Sequence, residues 1–537
     1  MIANKKSLLA LSVASALTLS GCFSDDDNNV TITPPPEPTD PVVVAPDAPD
    51  ALSLVVNGSV VDKKSTNVVP ATIAFLENGE ASANIVNTKG EAIATVETGE
   101  AGNFVFSVKE GAELSQITAV VTADGYFSKS FNIDLTTEAD TAELAVQLAL
   151  VSKDLDTVVE EVVEVAVEGG AVAEAITAEA AKGKAGADVT IPAGVVLRDA
   201  SGAAITGTDI SLNVGSADPT SSDAGAVLPE GLNADSAATL AAPVGVANVT
   251  MTDENGVKIK QFSNPISISI SIPKETVLAS EGRAVQTGDV LGLSSHNEDT
   301  GVWTKEVDNQ VTVGALNEAG TAYKASFMTD HLTFFTATDE VAVCNADVSV
   351  NINGDVPAGG LFVDVQSSDI NATRSIAAGS TSKVIYTAAN AGKNNVSADA
   401  TARIVLRDAE GTVWFDSVDE VAVCGEPVNA TLVAPEVEYT TTSFALTGVC
   451  SNEADTAVPV ENSVVTYRRA GKATYQAANA SGTYTLNNLV VGETYTVNID
   501  TLTLEVASGQ ATSFTFEAGT DAADQQLQMV CETVTGA

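Results

Sequence analysis

The chain has 537 residues and a formal net charge of −46, with 71 acidic against 25 basic side chains. A surface this acidic repels nucleic acid and anionic lipid head groups, and no basic cluster offsets it, so nucleic-acid binding is excluded. Hydrophobic residues make up 45% of the chain and aromatics only 5%; a composition rich in valine, isoleucine and alanine folds, unlike a disordered acidic tail, and the length predicts about three to five domains.

Lys5 and Lys6 precede an apolar run from Leu8 to Leu19, of secretory-signal length and too short to span a bilayer. The run ends in Leu19-Ser20-Gly21-Cys22, which resembles the lipobox of bacterial lipoproteins. That resemblance implies diacylglycerol on the Cys22 thiol, cleavage before Cys22 and acylation of the new amino terminus; several acyl chains anchor stably where one holds only marginally. Residues 1–21 are then a lipoprotein signal peptide. Phe23 replaces the aspartate that retains such proteins in the inner membrane, which implies the outer membrane, with display on either its surface or its periplasmic face. No later stretch reaches 18 apolar residues, so lipid on Cys22 is the expected membrane attachment. Residues 22–50, with "TPPPEPTDPVVVAPDAPD", read as an acidic, proline-rich, extended tether that packs no core.

From 51 to 150 short strands alternate with turns, among them two strands around the Asp124-Gly125 turn. The succession Gly58-Ser59-Val60-Val61-Asp62, Gly102-Asn103-Phe104 and Ala123-Asp124-Gly125-Tyr126 resembles a carboxypeptidase regulatory-like domain, which implies a small β-sandwich without catalytic residues. Residues 151–340 are a larger β-sandwich domain. In its first part Val158, Val159, Val162, Val163, Ala166 and Val167 recur at helical spacing between Glu160, Glu161 and Glu164, while the valine content favours strand; one short helical segment near 158–182 is allowed for. "NPISISISIPK" then alternates with period 2, Ile266, Ile268, Ile270 and Ile272 facing one side. "VTIPAGVVL" (189–197), "NEDTGVWTKE" (297–306) and "DHLTFFTA" (330–337) together resemble the sandwich domain shared by ankyrins and netrin receptors.

Beyond Cys22 the cysteines are Cys344, Cys424, Cys450 and Cys531, none in a Cys-x-x-Cys pair, which argues against zinc and thioredoxin chemistry. An even number in an exported chain suggests disulfides. Cys344 to Cys424 is 80 positions and Cys450 to Cys531 is 81, each one small β-domain long, so first-strand to last-strand pairing is expected within 341–435 and within 436–537. Loops of that length stabilise by about 4 kcal/mol on the chain-entropy model. In the last domain Gly482-Thr483-Tyr484 and Gly492-Glu493-Thr494-Tyr495 resemble the collagen-adhesin B-type repeat and related prealbumin-like sandwiches. Some of that group carry Lys–Asn isopeptide bonds; Lys472 is present here without the surrounding motif. The expected fold class is all-β, a set of tandem β-sandwich modules.

Chemistry has few candidates. The two histidines are His296 and His331, and the chain has no Gly-x-Ser-x-Gly elbow, His-Glu-x-x-His, Walker loop or dinucleotide fingerprint. Acidic turns make Ca2+ conceivable, but no EF-hand or glycine-aspartate nonapeptide array is present, and no metal or cofactor is predicted. His331-Leu332-Thr333 resembles the cleavage site of the GPCR autoproteolysis-inducing domain, which implies His331 as base, Thr333 as nucleophile and Leu332-Thr333 as the scissile bond, with Trp303 as an upstream counterpart. Ser326-Phe327-Met328 stands where a cysteine of that motif belongs. The competing reading is a last strand that packs Leu332, Phe334 or Phe335 in a sandwich, with His331 at its edge. The leading expectation is therefore a non-enzymatic lipoprotein, a string of four β-sandwich modules on a stalk, acting as a structural or adhesive platform for a protein or glycan partner. The alternatives are a surface protein processed at Leu332-Thr333, and a glycan-binding accessory with an exposed aromatic platform drawn from Trp414, Tyr467, Tyr475 and Tyr484.

Overall fold

A computed structural model describes residues 41–136, 142–234 and 238–534. Cys22, the signal segment and most of the tether lie outside the described residues. Within them the chain is all-β, arranged as four sandwich modules, each with its own apolar core.

Three modules share one closure: the first long strand runs parallel to the last. Val55–Asp62 pairs with Glu143–Leu150, Val348–Asn353 with Val428–Thr431, and Tyr439–Cys450 with Gln525–Met529. Every other pairing of a named strand is antiparallel, as short turns between successive strands dictate. In the first module Phe75, Phe104 and Phe106 fill the space between two sheets, the Phe75 and Phe106 rings 4.9 Å apart. The disulfides Cys344–Cys424 and Cys450–Cys531 sit near the ends of the parallel closures of the third and fourth modules.

The second module is a continuous twelve-stranded sheet folded on itself. Strand Val290–Asn297 joins its halves, pairing with Phe334–Ala342 on one side and with Val311–Leu316 on the other. Ile266, Ile268, Ile270 and Ile272 are all fully buried on one face of Gln261–Pro273, which is what their period-2 spacing demands. The helical option near 158–182 is corrected: Val158–Ala166 and Ile176–Lys182 are strands. Val158–Ala166 pairs antiparallel along its whole length with Asp209–Ala217, and β-branched valines fit a pleated surface better than a helical one. The α-helix among the described residues is Ser222–Val227, capped by Ser221, whose hydroxyl accepts from the Asp223 N–H.

Two further expectations are corrected. The end of the tether is not free of the core: Val42–Val44 pairs antiparallel with Glu532–Val534, and Val43 and Ala45 pack on the fourth-module core. Three consecutive valines between prolines supply a strand of the right length for an open edge. Nor are the modules a string. The first touches all three others: Lys129 donates to the Ala226 carbonyl of the second at 2.8 Å, Lys63 to Asn371 of the third at 2.8 Å, and Asn57 to the Thr474 carbonyl of the fourth at 3.1 Å.

Candidate functional site: the three-module junction

A polar cluster lies where the first, third and fourth modules meet, around the turn between strands Thr401–Arg407 and Val413–Asp416. The turn builds itself. Asp408 Oδ1 accepts the backbone N–H groups of Glu410 at 3.0 Å and Thr412 at 2.9 Å, an Asx turn. Gly411 has φ +94°, and a Cβ there would lie 2.0 Å from the Thr66 hydroxyl of the first module, so glycine both adopts the left-handed backbone and leaves room for the Thr66 side chain.

The turn reaches both neighbours. Toward the first module, Arg407 Nη1 donates to Gln147 Oε1 at 2.7 Å, Gln147 Nε2 donates back to the Ala409 carbonyl at 3.0 Å, and Thr66 Oγ1 donates to the Glu410 carbonyl at 3.2 Å. The rest of the Arg407 guanidinium makes a bidentate pair with Asp364, at 2.6 and 3.0 Å, and lies 5.6 Å from the Phe362 ring. Toward the fourth module, Tyr439 donates to Asp408 Oδ2 at 2.7 Å and Tyr495 to Glu410 Oε1 at 3.0 Å, while Arg469 pairs with Glu410 Oε2 at 2.7 Å. Burial raises the Glu410 carboxyl above its ordinary range, and the Arg469 charge opposes that rise. Burial likewise raises the phenols of Tyr439 and Tyr495, so both remain neutral donors. Val61 and Ala149 of the first module, with Phe362 and Ala409 of the third, extend the fourth module's apolar core. The chemistry of this arrangement is clamping: hydrogen bonds cross from the third module to both neighbours, and separating the third and fourth modules leaves Glu410 and Arg469 unpaired.

The sequence reading missed this cluster. One signal was present: Val405–Gly411, "VLRDAEG", nearly repeats "VLRDASG" at 196–202. The second-module copy makes the same turn, with Asp199 Oδ1 accepting from Ser201 and Ala203, but there Arg198 folds back onto the Gly202 carbonyl at 2.7 Å. The repeat therefore reports turn chemistry, and tertiary contact decides which arginine bridges modules.

The other predicted residues fall elsewhere. His331 ends strand Ala322–His331; its Nδ1 lies 3.1 Å from Thr329 Oγ1 and 3.3 Å from Asp330, and its Nε2 3.5 Å from Glu306. The Thr333 hydroxyl donates instead to the His296 carbonyl, so base and nucleophile have separate partners. The Leu332 N–H donates to the Lys260 carbonyl; Leu332 and Phe335 are buried in the sandwich core, and Phe334 in a separate cluster with Phe127 of the first module. No left-handed φ occurs at 331–333. Trp303 packs between His296 and Phe334 and donates to the Glu230 carbonyl at 3.3 Å. The aromatic platform is corrected: Tyr467, Tyr475 and Tyr484 are buried, and Trp414 packs on the third-module core and stacks on Tyr439. Those tyrosines lie on the inward parity of their strands, where ring area belongs to the core. Lys472 donates to Asn67 of the first module at 3.0 Å. Among the described residues no group of three or more His, Cys, Asp or Glu is placed to hold a metal ion, and no helix is long and apolar enough to cross a membrane.

No protein-family model matches the chain, and no curated protein matches it. Among solved structures it is similar to the full-length major pilin SpaD from Corynebacterium diphtheriae, with 9% identity, TM-score 0.16, and coverage of 89% of this chain and 98% of that one. It is similar to the full-length RrgB pilus protein from Streptococcus pneumoniae with 11% identity, TM-score 0.13, and coverage of 90% and 99%. A streptococcal ancillary pilin gives 10% identity, TM-score 0.14, and coverage of 46% and 93%. At such scores the likenesses carry no argument, and the β-sandwich assignment rests on this chain's own strand pairing.

Proposed function

We propose that this chain is a non-enzymatic scaffold of the bacterial outer envelope, held by lipid on Cys22 and presenting four β-sandwich modules as one preassembled body. The observation that carries the reading is the junction, where Arg407, Asp408 and Glu410 tie three modules together through buried, partnered groups. Polar side chains that elsewhere do chemistry are here held by structural partners. The lipobox residues Leu19 to Cys22 support the anchor, and the resemblances to carboxypeptidase regulatory-like, ankyrin/netrin-receptor-like and collagen-adhesin B-type domains, all modules of larger assemblies, support a presenting role.

The test combines fractionation with protease shaving of intact cells. The parent is expected in the outer-membrane fraction and Cys22→Ser in the soluble fraction; shaving is expected to remove the modules from the surface, leaving cells otherwise intact. A Cys22→Ser protein that stays in the membrane sinks the anchor, and modules untouched by protease until the outer membrane is opened sink surface presentation.

A further inference from the structure

Between the first and second modules runs a slot of about 420 Å³, within the range of small-ligand sites. One wall is the outward face of first-module strands Thr72–Glu77 and Gln116–Thr122, with Thr72 and Thr122 on it; the other is the outward face of second-module strands Asp209–Ala217 and Thr239–Asp253, with Asn213, Asn248, Thr250 and Thr252. These residues face the slot because of strand parity: Val249 and Met251, between them, point into the second-module core. At one end Lys153 pairs with Glu160 at 2.7 Å beside Tyr126. At the other, Lys258 pairs with Asp299, and Lys260 lies 3.3 Å from Asp299 and 3.5 Å from Glu298.

We propose that this slot binds a neutral, hydroxyl-rich ligand of disaccharide size. Its three lysines already have carboxylate partners, so no cation is left to recruit an anion. Its walls interleave hydroxyls and amides with apolar side chains such as Ala74, Val120 and Phe127, so a wholly apolar ligand would leave the hydroxyls and amides unpartnered, while a sugar offers both polar edges and apolar faces. Asn248, on the slot wall, carries a buried Oδ1 with no hydrogen-bond partner in the protein, an acceptor that a ligand hydroxyl would satisfy once the side chain turns toward the slot. Tyr126, whose phenol is raised by burial and stays neutral, supplies a ring at the mouth. The site lies between modules, where such clefts concentrate. It adds a ligand to the scaffold reading and does not depend on how the chain is anchored.

The mature full chain is titrated by calorimetry and by saturation-transfer NMR with maltose, cellobiose and N,N′-diacetylchitobiose, and with digalacturonate as the anionic control. At least one neutral disaccharide is expected to bind, and Asn248→Leu with Thr250→Val to weaken it by about tenfold or more. Thr72→Leu, on the opposite wall and in a different module, is expected to do the same, so a folding defect in one variant leaves the other as a test. Binding of none of the three sugars, binding unaltered by both walls, or tighter binding of digalacturonate overturns the proposal. Failure here leaves the scaffold reading standing, because shaving and fractionation do not involve the slot.

Discussion

His296 lies on the face of the second module that the first module covers, 1% exposed, with its ring 5.0 Å from Trp303 and its strand partner Phe334 in an apolar cluster that includes Phe127. Burial pushes its pKa from the ordinary 6.5 down to about 3, so it folds as a neutral, nearly apolar ring. Because the folded value is depressed, the unfolded chain takes up a proton as the pH falls below 6.5 while the folded chain does not until about pH 3. Stability attributable to this residue is therefore present above pH 6.5 and is lost as the pH falls through that window, by up to ~1.4 kcal/mol per pH unit. His296→Leu is expected to flatten the acid limb of stability between pH 6 and pH 4, measured by urea unfolding at each pH. An acid limb unchanged from the parent would show that His296 is already solvated and charged in the folded state.

At the scale of elements, the docked tether strand is the feature most open to test. Val43→Asp puts a carboxylate where Val43 packs on the fourth-module core. It is expected to release Val42–Val44 from Glu532–Val534, accelerating hydrogen exchange at residues 532–534 by about tenfold, while exchange in the first-module strand Val55–Asp62 stays unchanged. Legibility at this scale followed how uniformly each strand is buried. Gln261–Pro273 was readable because one whole face is core and the alternation of Ile with Ser is unbroken. Val158–Ala166 was ambiguous because it lies at the sheet end with Val162 half exposed, so neither face is cleanly apolar and doublets of valine and glutamate mimic helical spacing. The tether strand was invisible because its partner lies at the far end of the chain, and proline-rich composition says nothing about a distant open edge.

For the whole molecule the question is whether four modules behave as one body. Arg407→Ala removes a guanidinium that is 6% exposed, leaves Asp364 of the same module buried without its cation at a cost of about 3–5 kcal/mol, and deletes the donor to Gln147 of the first module. In solution scattering the parent is expected at a radius of gyration of about 24 Å, as for a compact chain of this length, against a clearly larger value for an extended string of modules. Arg407→Ala is expected to shift the parent toward the larger value and to separate its unfolding into more than one transition. A parent already extended would remove the junction as a clamp. The junction was not legible because Gln147, Asp364, Glu410 and Arg469 are scattered along the chain, and each read alone is an ordinary surface residue of an acidic protein. The pairing of Val42–Val44 with Glu532–Val534 also brings the two ends of the described chain to one pole. A pull on the segment before Val42 thus loads a three-residue ladder before it reaches the first module. That ladder is a mechanical fuse: when it and the Asn462 hold on the Pro49 carbonyl part, residues 45–51 pay out at about 3.5 Å each, absorbing extension while the sandwiches and their disulfides stay folded.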